Sequence, residues 1–262
     1  MAEEEKIIHH AKEAVHALTN KNKKWKEKIQ DFLLEIVIII IAVSITLWFH
    51  NWNDKRHDRQ QEKEFLSGVR EDLMKDTSIL MGYNIRDFQS TIDFYDSVYL
   101  QIMENKIDAK YIDSHQGALT NRADFLYDDS RFQSFKSSGS LKLIENQKLL
   151  DDITYLYTIE FPTQKENDQI IYNKRQDDYD KYIGSKVKIA LYLDTNGKYT
   201  AYQPVSKVFG NPEVQYQIRK YVNLFDERKE EKLRTVEETT NVIKEINKEL
   251  KDRFDYDVSN KK

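Results

Sequence analysis

Cysteine is absent, which excludes disulfides, thiolate metal sites and cysteine nucleophiles and leaves the redox state of the compartment open. Proline and glycine are scarce, at 3 and 7 of 262 residues. Few chain-breakers mean few tight turns, so long elements are expected, and in a chain that is 33% charged long elements are helices. An excess of one charge sign is also missing. With 41 basic and 45 acidic side chains the formal charge is −4, which gives a nucleic-acid partner no electrostatic support. Aromatic surface is abundant instead: 12 Phe, 16 Tyr and 3 Trp suffice for a core despite the charge.

One long apolar run stands out. FLLEIVIIIIAVSITLWF, from Phe32 to Phe49, carries a single charge, Glu35, and is softened by Ser44 and Thr46. At about 1.5 Å per residue it spans roughly 27 Å, close to the hydrocarbon thickness of a bilayer. No pair of small residues follows at cleavage spacing, so a retained signal anchor is expected. The expected organisation is a cytoplasmic amphipathic and basic segment over 1–30, a transmembrane anchor over 31–50 and a periplasmic helical-bundle domain over 51–262. Orientation follows the flanks. Lys21, Lys23, Lys24, Lys26 and Lys28 precede the run, while Lys55, Arg56, Arg59 and Lys63 follow it, so the N terminus is placed in the cytoplasm. Trp25 on one side, and Trp48 with Trp52 on the other, mark the two headgroup belts of the lipid bilayer. Glu35 either reaches the interface or a nearby Lys28, or it faces a partner helix; with Asn51 and Asn53 it forms the candidate assembly set.

Ahead of the anchor, Ile7, Ile8, Ala11, Val15 and Leu18 fall on one side of an amphipathic helix about four turns long. His9, His10 and His16 lie near that face without a carboxylate or thiol framework, so a solvated or packing helix is expected there. At the membrane exit, WFHNWNDKRHDRQ places His50, Asp54, His57 and Asp58 at i, i+4, i+7 and i+8, on one helical face. A divalent metal would need that spacing, but any charged helix produces it, and both aspartates have Lys55, Arg56 and Arg59 at hand. No metal or cofactor is assigned, and no catalytic residue.

Beyond the anchor, apolar residues from Phe65 through Val69, Leu73, Leu80, Ile85, Phe88, Ile92, Tyr95 and Tyr99 to Ile102 step by three and four. Gly68 and Gly82 weaken the pattern without a proline, so one helix is expected to run to about Asn105. Residues 106–139 read as mixed, with one helical turn around Gln116 to Phe125. After Ser140, Ile144, Leu149, Ile153, Leu156 and Tyr157 predict a helix that Pro162 ends or kinks. A further helix from Thr163 to Ile183 rests on Ile170, Ile171, Lys174, Tyr179 and Tyr182. Alternation over 187–203, with Asn196-Gly197 as a tight turn, predicts a small β-hairpin, the alternative being a short helix and a loop. Asn211, Pro212 and Glu213 then open a last helix whose stripe runs through Val214, Ile218, Tyr221, Phe225, Leu233, Val236, Ile243, Ile246 and Leu250. Its middle, DERKEEK, reads as a solvated face. The fold class is mainly α, a transmembrane helix continuing into an elongated antiparallel bundle.

Three stretches carry a resemblance. Glu35 within the apolar run, Asn51-Trp52-Asn53-Asp54 at its exit, the basic Lys55-Arg56 and the Asp72-Leu73-Met74-Lys75-Asp76 pattern form the first. Ser137-Ser138-Gly139 before Ile144 and Asn146 form the second, and the Pro212-Glu213 helix start the third. Together these resemble an uncharacterised family of single-pass inner-membrane proteins of diderm bacteria, in which an Asn-Asn-Trp-Asn-Glu type motif leaves the membrane; His50 stands where that family usually has Asn. The resemblance implies an inner-membrane anchor with a helical periplasmic domain and transfers no activity.

No zinc-ligand helix, phosphate-binding glycine loop, nucleophile elbow or dinucleotide fingerprint occurs, so an enzyme is not expected. The expected function is a structural or accessory subunit of the cell envelope, assembling with copies of itself or with other inner-membrane or periplasmic proteins. The alternative is a periplasmic ligand-sensing helical domain whose tyrosines between Tyr172 and Tyr221 line a pocket, acting through a separate signalling partner.

Overall fold

The computed structural model describes Lys12, residues 25–193, Gly197 and residues 199–256. The amphipathic segment expected over Ile7 to Leu18, with His9, His10 and His16, lies outside the described residues apart from Lys12, as does the side chain of Trp25. The chain divides into two units, Met1–Glu62 and Lys63–Lys262.

The protein is mainly α-helical. Helix α1, Trp25–Ile79, begins in the first unit, and its residues from Lys63 onward belong to the second. A π-helical segment, Leu80–Ile85, passes directly into α2, Arg86–Met103, so helical structure continues almost as far as the sequence predicts. It stops where Asn105 takes a φ of +54°, a left-handed conformation that asparagine tolerates better than most side chains. The stripe explains the π turn. Leu73, Asp76 and Leu80 are buried at steps of three and four, and the next buried hydrophobic, Ile85, comes five residues later. One extra residue in the turn absorbs that step and keeps Phe88, Ile92, Tyr95 and Val98 on the core side.

Between residues 106 and 146 the chain is more helical than its composition suggests. The predicted turn near Gln116 is a 3-10 segment, Gln116–Leu119, but two α-helices flank it: α3, Ala109–Ser114, and α4, Ser130–Ser137. The Asp108 side chain caps α3 by accepting from the Tyr111 N–H at 3.0 Å. The helix expected after Ser140 starts later. Ser140–Leu143 is a 3-10 turn, Ile144 is extended, and α5, Gln147–Tyr155, begins where the Asn146 side chain accepts from the Leu149 N–H. Pro162 does not break the chain into separate helices either. A second π segment, Leu156–Glu160, links α5 to α6, Phe161–Tyr182, with Pro162 in its first turn. Proline has no N–H to give the carbonyl of residue 158, and the wider turn, in which the Phe161 N–H reaches the Leu156 carbonyl, accommodates the gap.

Strands β1, Ala190–Leu193, and β2, Tyr199–Tyr202, pair antiparallel. Leu193 faces Tyr199, which leaves five residues between them rather than the two of the expected Asn196-Gly197 turn, and Gly197 has a φ of +74°. Helix α7, Pro212–Phe254, starts as its sequence predicts, with the Asn211 carboxamide oxygen accepting from the Glu213 N–H at 2.9 Å. Asp255, at φ +49°, closes it.

Two apolar clusters form the core of the second unit. In one, Phe65, Leu66, Val69 and Leu73 of α1 meet Phe132 of α4, Leu149 and Ile153 of α5, and Val242, Ile246 and Leu250 of α7. In the other, Phe88, Ile92, Tyr95 and Val98 of α2 meet Ile112 of α3, Leu119, Val205 and Phe209, and Val214, Ile218, Tyr221 and Phe225 of α7. Helix α7 thus runs antiparallel to the α1–α2 run and contributes to both clusters.

Candidate functional site: a polar waist between two cores

Between Phe225 and Val242, α7 buries no hydrophobic side chain completely. Arg228, Lys232, Thr235 and Thr239 occupy the inward face, with Lys232 at 0% exposure. DERKEEK is therefore only partly a solvated face: Asp226, Glu227 and Glu230 are exposed, while Arg228 and Lys232 point into the protein. Helix α6 answers with Gln164, Asp168 and Arg175, all buried, in place of the expected Ile170 and Lys174, which are exposed.

Asp168 is the centre. Both of its oxygens accept from Lys232 Nζ, at 2.6 and 2.7 Å, and Oδ2 also accepts from the backbone N–H of Phe125 at 3.0 Å. Arg228 Nη2 donates to Gln164 Oε1 at 2.9 Å and lies 3.4 Å from Asp168 Oδ1. Its other terminal nitrogen pairs with Glu231. Gln164 donates to Glu160 at 3.1 Å, and the Thr235 hydroxyl donates to the same carboxylate. Arg175 donates to the Asn121 carbonyl and lies over the Phe225 ring, 5.4 Å from its centroid. Asn121 in turn donates to the Thr91 hydroxyl at 2.8 Å.

Desolvation sets the electrostatics. Burial pulls Lys232 below the usual lysine value, against the opposing pull of the Asp168 carboxylate. Burial likewise lowers Arg175. A charge removed from water costs several kcal/mol unless it is fully paired, so the cluster tolerates one arrangement of α6, α7 and the 121–125 stretch. Chemically it can fix register, and a crevice of about 20 Å3 beside Arg175, Asp168 and Phe88 has room for about one water.

Other places in the described residues also hold space. Tyr95, Tyr179, Tyr182 and Tyr221 line a second crevice of about 20 Å3, room for about one water. Lys220 and the Tyr221 hydroxyl both donate to Asp178, at 2.8 and 2.7 Å. Those bonds outweigh burial and hold Asp178 below the usual carboxylate range. A groove of about 530 Å3 opens beside the first π segment, lined by Ile79, Asn84, Asp87, Arg122, Ala123, Asp124 and Leu126.

The membrane-exit residues can be placed individually. The helix containing the apolar run is long and apolar enough to cross a membrane, and none of its apolar window is buried by protein. Trp48 and Trp52 are exposed, with Arg56 over the Trp52 ring at 5.8 Å. Asn51 and Asn53 are exposed, and Glu35 is half-buried. His50 meets Asp54 at 3.5 Å, whereas His57 turns to Gln61 at 2.9 Å, so the four-residue face is not gathered into one site. Among the described residues no cluster of three His, Asp or Glu side chains could hold a metal ion.

Sequence reasoning missed the polar waist although a signal for it exists. From Phe225 the intervals to 228, 232, 235, 239 and 242 are three, four, three, four and three, so the core-facing phase passes straight through Arg228, Lys232, Thr235 and Thr239. Following residue type instead of phase led to Leu233 and Val236, which are half-buried. No protein-family model, no curated protein and no solved structure matches the chain.

Proposed function

We propose that this chain is a structural or accessory subunit of the bacterial cell envelope, held in the inner membrane by one transmembrane helix. In this reading the N terminus is cytoplasmic and the domain from about residue 51 is periplasmic, where it presents helical surface to copies of itself or to partner proteins. One observation carries the reading: the helix that bears the run from Phe32 to Phe49 is long and apolar enough to cross a membrane, and none of its apolar window is buried by protein.

Purification from native membranes in mild detergent, followed by native mass spectrometry, tests it. A defined homo-oligomer or a stoichiometric partner is expected, and a lone monomer without a co-purifying protein would sink the proposal. Glu35→Gln in the same experiment asks whether the intramembrane carboxylate joins in assembly; an unchanged oligomer profile would remove Glu35 from the interface.

A further inference from the structure

We infer that residues 121–129 form a strap closed over the core, and that ionisation of the buried Asp76 carboxyl releases its C-terminal end, a pH-sensitive latch built into the fold. The inference goes beyond anchoring and assembly and does not depend on them.

The strap has no regular structure of its own, and side chains reaching it from the helices bond to its backbone. These fastenings follow one another along the chain. Arg175 of α6 donates to the Asn121 carbonyl, and Asn84 of the first π segment donates to the Ala123 carbonyl at 2.6 Å. Asp168 of α6 accepts from the Phe125 N–H at 3.0 Å, and Asp76 of α1 accepts from the Asp128 N–H at 3.2 and 3.3 Å. Between them Phe125 is fully buried and meets the Phe161 ring edge-on, at 5.2 Å between centroids, while Leu126 beside it is 60% exposed.

The fastenings differ in what pH does to them. Arg175 and Asn84 donate throughout the neutral range, and Asp168 has Lys232 Nζ on both of its oxygens. Asp76 has neither a cation bonded to it nor a second donor among the described residues, although it is 1% exposed and a carboxylate can accept about four bonds. Its surroundings are mostly acidic. Asp72 and Lys75 act on it from α1 and Asp128 from the strap, while Arg131 of α4 donates to Asp72 at 2.8 Å. Tyr127 of the strap, and the Tyr157 hydroxyl of the second π segment, buried without a partner among the described residues, feel Asp76 together with Asp129. Burial holds the Asp76 carboxyl neutral to about pH 7, against the pull of the Asp128 N–H and with repulsion from Asp72 and Asp128. Lifting the 126–129 end lets water reach the carboxyl, which then releases its proton nearer 3.8. The closed strap is therefore fully favoured below that lower value and loses ground as pH rises to about 7, with opening increasing at most about tenfold per pH unit and levelling off above.

Hydrogen exchange on the full chain in nanodiscs, read residue by residue by mass spectrometry and divided by the intrinsic rate at each pH, tests the latch between pH 5 and 8. The Asp128 amide of the wild type is expected to exchange at least about tenfold faster at pH 7 than at pH 5 and then to level off. At pH 7 it should also exchange at least about tenfold faster than the amides of Ile218 to Phe225 in α7, because a local opening precedes global unfolding. Asp76→Asn is expected to abolish the rise. Asp128→Asn, at an exposed position, keeps the N–H and an acceptor for Ser130, removes one repelling charge and should bring the plateau to lower pH; it decides the matter should Asp76→Asn fail to fold. Exchange at Asp128 that stays flat or slows with pH, as a stronger bond to an ionised carboxylate would give, overturns the latch. So does exchange no faster than that of α7, the signature of global unfolding, or a rise that persists in a folded Asp76→Asn variant or ignores Asp128→Asn.

Discussion

Asp76 lies on α1 at 1% exposure, and its two oxygens share one backbone donor, the Asp128 N–H, at 3.2 and 3.3 Å. Burial raises its pKa to about 7; the Asp128 bond and Lys75 pull the other way, and Asp72 and Asp128 add repulsion. The Tyr157 hydroxyl, buried nearby without a partner among the described residues, feels the same aspartates, and burial with their charge pushes it up as well. The linkage sign follows. Unfolded, Asp76 releases its proton near 3.8, whereas folded it keeps it to about 7, so folding is unpenalised below the lower value and loses stability as pH rises through that window. The loss amounts to at most about 4 kcal/mol. Asp76→Asn keeps an acceptor for Asp128 and cannot ionise. Urea unfolding between pH 4 and 8 should therefore show the variant gaining on the wild type as pH rises, and parallel curves would refute the shift. At the waist, Asp168→Ala leaves Lys232 and Arg228 buried without their shared carboxylate, an expected cost of about 3–5 kcal/mol. The pair Asp168→Leu with Lys232→Met removes both charges and should cost clearly less than Asp168→Ala. If the double variant is the less stable of the two in equilibrium unfolding, the ionic account of the waist fails.

At the scale of elements, capping and periodicity were legible where local chemistry decides the structure. Asn211, Pro212 and Glu213 start α7 because a side-chain acceptor, a residue without an N–H and a carboxylate each suit a helix N-terminus, whatever packs above it. The first π segment was not legible, because nothing local requires it; it reconciles a stripe with one residue too many, whereas the second follows from Pro162. Gly68 also reads differently in the fold. A Cβ there would collide with the Arg131 guanidinium, so the glycine clears the path by which Arg131 reaches Asp72 at 2.8 Å. The π account makes a sharp prediction. Deleting Gly82, where an added Cβ would meet nothing within 4 Å, should convert Leu80–Ile85 to plain α-helix and leave Leu73 and Phe88 in phase. Deleting the exposed Ser90 from α2 should instead rotate everything beyond it by about 100° and misplace Ile92, Tyr95 and Val98. Thermal melts followed by circular dichroism compare them. The Gly82 deletion should retain a cooperative transition and the Ser90 deletion should lose it, whereas equal damage from both would argue against the bulge as an inserted residue.

At the scale of the whole chain, the missing cysteine becomes an instrument. Composition excluded classes of chemistry, and the apolar run indicated an anchor, but neither charge flank was strong enough to fix orientation by physics alone, since five lysines face four basic residues. A chain without thiols accepts a single one anywhere exposed, and accessibility then reports sidedness without background labelling. Lys12 precedes the run and Met103, at 67% exposure, closes α2 beyond it, so Lys12→Cys and Met103→Cys bracket the anchor. With the N terminus in the cytoplasm, a membrane-impermeant maleimide applied to intact spheroplasts should label Met103→Cys and spare Lys12→Cys until the cells are lysed. The reverse pattern would invert the topology and place the domain from residue 51 in the cytoplasm. Labelling of both variants before lysis would remove the anchor itself, since a run of eighteen residues interrupted only by Glu35 has no reason to lie in water with its side chains uncovered.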